Sequence, residues 1–237
     1  MIGPLFLQSH VFLCRGKRHW VVLDSARDQY HCISRHQFEA LGPLLQGWEG
    51  SAAPGNGGAA SIPADAIGLA NQLLQLNILS EGPAGAKDAL PIQYPAPAEA
   101  IDVDSPASSR WLTYTHARSF FASSARASRE LREKRFPFIL DQVRARKAAR
   151  GVAFELERAV SLAAVFDRLR PFYAAGYDCL PDSLRLIHFL ARFGIFPDWV
   201  FGVIADPFEA HCWVQAGSVV LNDRVERVSA FTPIMYI

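Results

Sequence analysis

Cysteine is scarce in this chain, with four residues in 237: Cys14, Cys32, Cys179 and Cys212. None stands in a Cys-x-x-Cys pair, so the spacing points neither to a zinc site nor to a dithiol redox couple, and reduced thiols are the expectation. No apolar run approaches the roughly 18 residues that a membrane-spanning helix needs. The opening segment, Met1-Ile-Gly-Pro-Leu-Phe-Leu, lacks the basic n-region and small-residue cleavage site of a secretory signal, which leads to the expectation of a cytoplasmic protein. Charge of one sign is also lacking. The formal net charge is +1, which provides no global field for nucleic acid or for an anionic membrane. A glycine-rich phosphate loop is absent, and no metal or bound organic cofactor is indicated.

What is present is an ordinary globular balance, half hydrophobic and 20% charged, in a length that suits two domains. Near the start, short apolar segments alternate with polar turns: His10-Val-Phe-Leu-Cys14, His19-Trp-Val-Val-Leu23 and Gln29-Tyr-His-Cys-Ile33. Their spacing predicts a three-stranded meander. Ser34 can cap a helix through Phe38, Leu41 and Leu45 that Gly47 ends, and Pro63 suits the first turn of a second helix over residues 64–76. That second helix carries Asp65, Asn71, Gln72 and Gln75 but no Lys or Arg, which argues against a DNA-reading role. Residues 50–60 read as a loop. Residues 81–109, dense in Pro, Ala and Gly without apolar period, read as a linker. Residues 111–172 are helical in pattern, punctuated by Pro137 and Gly151, and their run of Arg and Lys from Arg126 to Arg150 is either a solvated face or a contact for an acidic partner.

The chemistry concentrates in residues 177–223. Leu180, Leu184, Ile187 and Ala191 recur at helical spacing just after Asp178 and Cys179, with Pro181 tolerable only in a first turn. Cys179 therefore falls at a helix start, where free N–H groups and the helix dipole favour a thiolate. Three strands are expected beyond it, carrying His211 as a base and Asp223 as the group that orients the imidazole. Cys179, His211 and Asp223 are thus the candidate catalytic residues. Cys212 reads as core. Strand parity adds a geometric condition, because side chains on paired antiparallel strands share a face only at even offsets. An odd loop centred on Gly217 sets His211 opposite Asp223. A two-residue Gly217-Ser218 turn pairs Cys212 with Asp223 instead and, without a compensating bulge, leaves Asn222 as the nearest candidate to orient His211; the odd loop is the expected one.

Cys-Leu-x-x-Ser-Leu around Cys179, His-x-Trp-Val around His211, and the order Cys179, His211, Asp223 resemble the transglutaminase-like leader peptidases of lasso-peptide biosynthesis, the B proteins. The match is close over about the last 60 residues and general elsewhere. The resemblance implies an α+β fold: a winged-helix leader-recognition domain over residues 1–80, the linker over 81–109, and a papain-like or transglutaminase-like cysteine peptidase domain over 110–237. It implies that the enzyme removes the leader of a ribosomally made lasso precursor. That leader would add as a strand beside Tyr30 and Cys32 and pack against Leu69 and Leu73. The implied partners are the precursor's leader region and an ATP-dependent macrocyclase. Alternative readings are a transglutaminase-like acyl transferase, which shares the chemistry, and a non-catalytic module that delivers the precursor.

Overall fold

The computed structural model describes residues 4–48, 63–101, 112–149, 155–173 and 178–237. The chain divides into two compact units, the first Met1–Gln93 with Val203–Glu209 and the second Tyr94–Gly202 with Ala210–Ile237. The architecture is mixed α/β.

In the first unit, β1 (Phe6–Gln8) precedes a meander of β2 (Val11–Arg15), β3 (His19–Asp24) and β4 (Gln29–Ser34). The turn between β3 and β4 is set by Asp24, whose Oδ1 accepts from the backbone N–H groups of Ala26 and Arg27, both at 3.0 Å. Ser34 caps α1 (Arg35–Glu39), its Oγ accepting from the Gln37 N–H. The helix expected to run on to Leu45 stops at Glu39. A 3-10 turn at Gly42–Leu44 replaces its second half, because Pro43 there removes a backbone donor. The expected second helix forms as α2 (Ala64–Gln75) and buries Ala66, Ala70 and Leu73. Trp20 and Phe38 stack at 5.0 Å in the core that these elements close.

The segment read as a linker holds sheet residues at both ends of its described part. The strand β5 (Leu79–Ser80) and then β6 (Ala86–Lys87) flank β1, while β7 (Glu99–Ala100) pairs in parallel with a strand of the second unit's sheet. Backbone pairing needs no apolar period, so two-residue strands in a Pro- and Ala-rich stretch leave little trace in side-chain pattern. Residues 102–109 of the expected linker, like the 50–60 loop and Gly151, lie outside the described residues.

The second unit is built on α3 (Tyr114–Glu133), α4 (Phe136–Ala148), α5 (Leu156–Leu169) and α6 (Cys179–Ala191). Thr113 and His116 form a capping box at the start of α3, and Pro137 lies in the first turn of α4, where its missing N–H costs nothing. Every residue of α6 from Asp182 to Leu190 is buried. The sheet has the order β11, β8, β9, β10, β7, with β8 (Asp198–Ala205), β9 (Phe208–Ala216), β10 (Val219–Val220) and β11 (Thr232–Tyr236). A short helix, α7 (Val225–Val228), and β11 follow Asp223, and β11 supplies an edge of the sheet. Among the described residues, no helix is long and apolar enough to cross a membrane.

Candidate active site

Cys179 is the first residue of α6, with Asp178 at the N-cap position. The Asp178 side chain makes no capping bond, and the N–H groups of a helix's first turn point toward its N-terminal end, where Cys179 stands. His211 lies on β9 and is 5% exposed. Its ring is bracketed by Trp213, with centroids 6.0 Å apart, and by Phe231 at 5.0 Å. Trp213 can sit there only because residue 202 is glycine: a Cβ at Gly202 would lie 2.8 Å from the Trp213 ring and 2.9 Å from Phe231 Cβ.

His211 Nε2 and Asp223 Oδ2 are 2.6 Å apart, and Asp223 Oδ1 accepts from the Arg224 N–H at 2.8 Å. With Nε2 engaged, Nδ1 is the ring nitrogen left for Cys179. Hydrogen bonds from the Cys212 side chain and from His211, with a further one from the Cys212 backbone, outweigh burial and hold the Cys179 thiol down at about 4. Burial lowers the proton affinity of His211, but its bonds to Asp223 and to the Cys179 sulfur win and raise it to about 9. Burial likewise works against the Asp223 carboxylate, yet His211 and the Arg224 N–H keep it below the ordinary value. The resting pair is therefore a thiolate and an imidazolium near neutral pH. Cys212, expected as core, is indeed buried, and burial raises its own thiol far above the usual value; it also faces Cys179 as a neutral donor.

The turn into β10 is the two-residue one. Val219 pairs with Ala216 and Val220 with Gln215, and Gly217 has a φ of +60°. Positive φ at the first loop position is the type II′ pattern. The expected odd loop around Gly217 is thus replaced by the even one, and the same register continued would set Asp223 opposite Cys212. It does not continue. The strand ends at Val220, and the chain bends through residues 221–223, which returns Asp223 to His211.

These side chains line an open pocket of about 980 Å³, together with Arg170, Asp182, Asn222 and Arg224. Asp182 was not foreseen as a site residue, and Asn222 was expected only as a substitute for Asp223 should the even loop form. The available signal was spacing: Asp182 and Ser183 follow Cys179 at i+3 and i+4, which places them on its helix face. Among the described residues, no group of three His, Cys, Asp or Glu side chains is arranged to hold a metal ion.

Residues 122–236 match the family model described as the transglutaminase-like superfamily. A transglutaminase-like domain therefore occupies the C-terminal part of the chain and contains Cys179, His211 and Asp223. No curated protein and no solved structure matches the chain. That superfamily includes cysteine peptidases and acyl transferases, whose shared chemistry is attack by a thiolate on a carbonyl.

The residues read as a leader-docking site lie in the first unit. Tyr30, half-buried on β4, packs its ring 5.4 Å from that of Phe208, and Cys32 is exposed on the same strand. Among the described residues β4 pairs with β3 alone, so its other edge carries no strand. Leu73 is 3% exposed and belongs to the unit's own core, with Leu69 packed partly against it. That placement gives Leu73 a structural role of its own.

Proposed function

We propose that this chain is a cysteine peptidase that removes the leader from a ribosomally made lasso-peptide precursor. The observation that carries the reading is the charge-assisted pair of His211 and Asp223, 2.6 Å apart, facing a thiol at the start of α6. In this mechanism the Cys179 thiolate attacks the carbonyl at the leader–core junction and forms a C–S bond. The His211 imidazolium gives its proton to the leaving amine as the C–N bond breaks. Neutral His211 then takes a proton from water, which releases the acyl group and restores the thiolate. Backbone N–H groups at the start of α6 are placed to stabilise the oxyanion. Asp223 keeps the ring in its tautomer throughout.

On this reading the first unit is a winged-helix recognition domain. The leader docks as an added strand beside Tyr30 and Cys32 on β4, with Leu69 at its border. The companion is an ATP-dependent macrocyclase, and the setting is the cytoplasm. Support for these finer points comes from the sequence resemblance and from the place of β4 at the end of its sheet among the described residues.

The superfamily match also favours an acyl-transfer reading, since the same acyl-enzyme can pass to an amine in place of water. Incubating the full chain with precursor peptide and a labelled amine tests both, with mass spectrometry as the readout. Free leader acid without label supports the peptidase. A labelled amide product establishes transfer, and an unchanged precursor in the presence of the macrocyclase overturns the processing role.

A further inference from the structure

The even turn at Gly217-Ser218 poses a problem that the neighbouring contacts solve. Val220 opposite Gln215 fixes the register, and Leu221 still donates its N–H to the Val214 carbonyl at 2.8 Å. A regular ladder would then have the Val214 N–H donate to the Leu221 carbonyl. It donates instead to Asn222 Oδ1 at 2.8 Å. A side-chain amide has taken the place of the backbone, and the main chain is free to leave the strand one residue before Asp223.

The other end of that amide is fastened to the nucleophile helix. Asn222 Nδ2 donates to Asp182 Oδ2 and to Ser183 Oγ, both at 3.1 Å. Ser183 Oγ in turn donates to the Cys212 carbonyl at 3.2 Å, one residue from His211. Arg170 Nη2 donates to Asp182 Oδ2 at 2.9 Å and to the Asn222 carbonyl at 3.4 Å. Asn222 therefore bonds through both ends of its side-chain amide and through its carbonyl: to β9 at Val214, to α6 at Asp182 and Ser183, and to Arg170. Aspartate at 222 has no N–H to donate, and serine is too short to span the same gap, so the geometry selects asparagine.

We propose that Asn222, anchored by Asp182 and Ser183 on α6, is the positioning residue that sets Asp223 against His211 and fixes the hairpin to the helix bearing Cys179. It touches no reacting atom. It acts by ending the ladder at the residue where the parity of the turn would otherwise send the carboxylate to the wrong partner. The inference rests on the assignment of Cys179, His211 and Asp223 as the reacting set, and it deepens that assignment.

The test follows the His211 imidazole in the full chain by NMR titration, with the resonance identified by its loss in His211→Gln. Asn222→Ala, like Asp223→Asn, is expected to bring the His211 midpoint down from about 9 toward the ordinary value and to cut kcat/KM on precursor by on the order of 100-fold. Asp182→Ala, which leaves the hairpin sequence intact, is expected to shift the same midpoint in the same direction, and Asp182→Asn, which keeps an acceptor for Asn222, to restore it. The Asp182 pair reads the proposal even where Asn222→Ala does not fold. An unchanged His211 midpoint in folded Asn222→Ala and Asp182→Ala overturns the proposal. If Asp223→Asn itself leaves both the midpoint and activity unchanged, it is the reacting set that fails.

Discussion

Asp223 sits 2.6 Å from His211, although the register of the hairpin that joins them points it at Cys212. The bend at residues 221–223 is what reconciles the two. The site's electrostatics depend on that contact, since it supplies the bond that holds His211 in its protonated form against burial.

Replacing Cys179 by Ala is expected to abolish processing of precursor peptide while leaving the far-ultraviolet dichroism and melting temperature nearly unchanged, because one half-buried sulfur contributes little packing. Cys212→Ala should still process. It removes a hydrogen-bond donor to the Cys179 thiolate, so the pH at which that thiolate forms should rise above about 4. Equal and complete loss in both variants would assign the nucleophile wrongly.

The pH dependence follows from the same pair. Below about 4 the Cys179 thiolate gains a proton and the nucleophile is lost. Above about 9 His211 loses its proton and with it the acid for the leaving amine. Activity as kcat/KM should form a broad plateau between those limbs, and iodoacetamide should alkylate Cys179 at a nearly constant rate from pH 5 to 8, a range set by the two values. A thiol that reacts only above about pH 8, the ordinary cysteine behaviour, would contradict the ion pair.

Gly202→Ala places a methyl group 2.8 Å from the Trp213 ring. The backbone of β8 or the indole must shift, at a cost of about 1–3 kcal/mol for overpacking. Because Trp213 brackets His211, the substitution should lower kcat as well as the melting temperature. A melt lowered by several degrees with kcat intact would show that the indole does not position the imidazole.

His188 lies at the far end of α6, 2% exposed, between Glu130 Oε2 at 2.7 Å and Arg146 Nη1 at 3.0 Å. Arginine can only donate, so Nδ1 accepts and Nε2–H donates to Glu130. Burial, reinforced by Arg146 and Arg126 against the pull of Glu130, lowers the group from 6.5 to about 4. The unfolded chain thus binds a proton that the folded chain refuses between those values. The stabilising contribution is fully present above pH 6.5 and is lost as the pH falls toward about 4, at up to about 1.4 kcal/mol per pH unit. Urea melts from pH 7 to 4 should show that slope, and His188→Gln should flatten it.

The sequence alone determined the elements whose signals are local. Ser34 marked a helix start because a hydroxyl there can accept from the first turn, and Pro137 marked another because a missing N–H is harmless there. Cys179 could be placed at the start of α6 from apolar spacing and Pro181, and the meander from alternation. The residue types of the site and their order along the chain were legible for the same reason. Tertiary structure decided the rest. Strands β1, β6, β7 and β11 are short or irregular in pattern, and their pairing partners lie elsewhere in the chain or at the sheet edge, so no window of sequence contains them. Gly217 and Ser218 suit either loop length, and the two-residue turn became compatible with a His211–Asp223 contact only through Asn222. That side chain replaces a ladder carbonyl at Val214 and is held by Asp182, forty residues earlier in the chain. A hydrogen bond over that separation leaves no periodicity to read. It exists because folding brings α6 against the hairpin, where each buried polar atom has to find a partner.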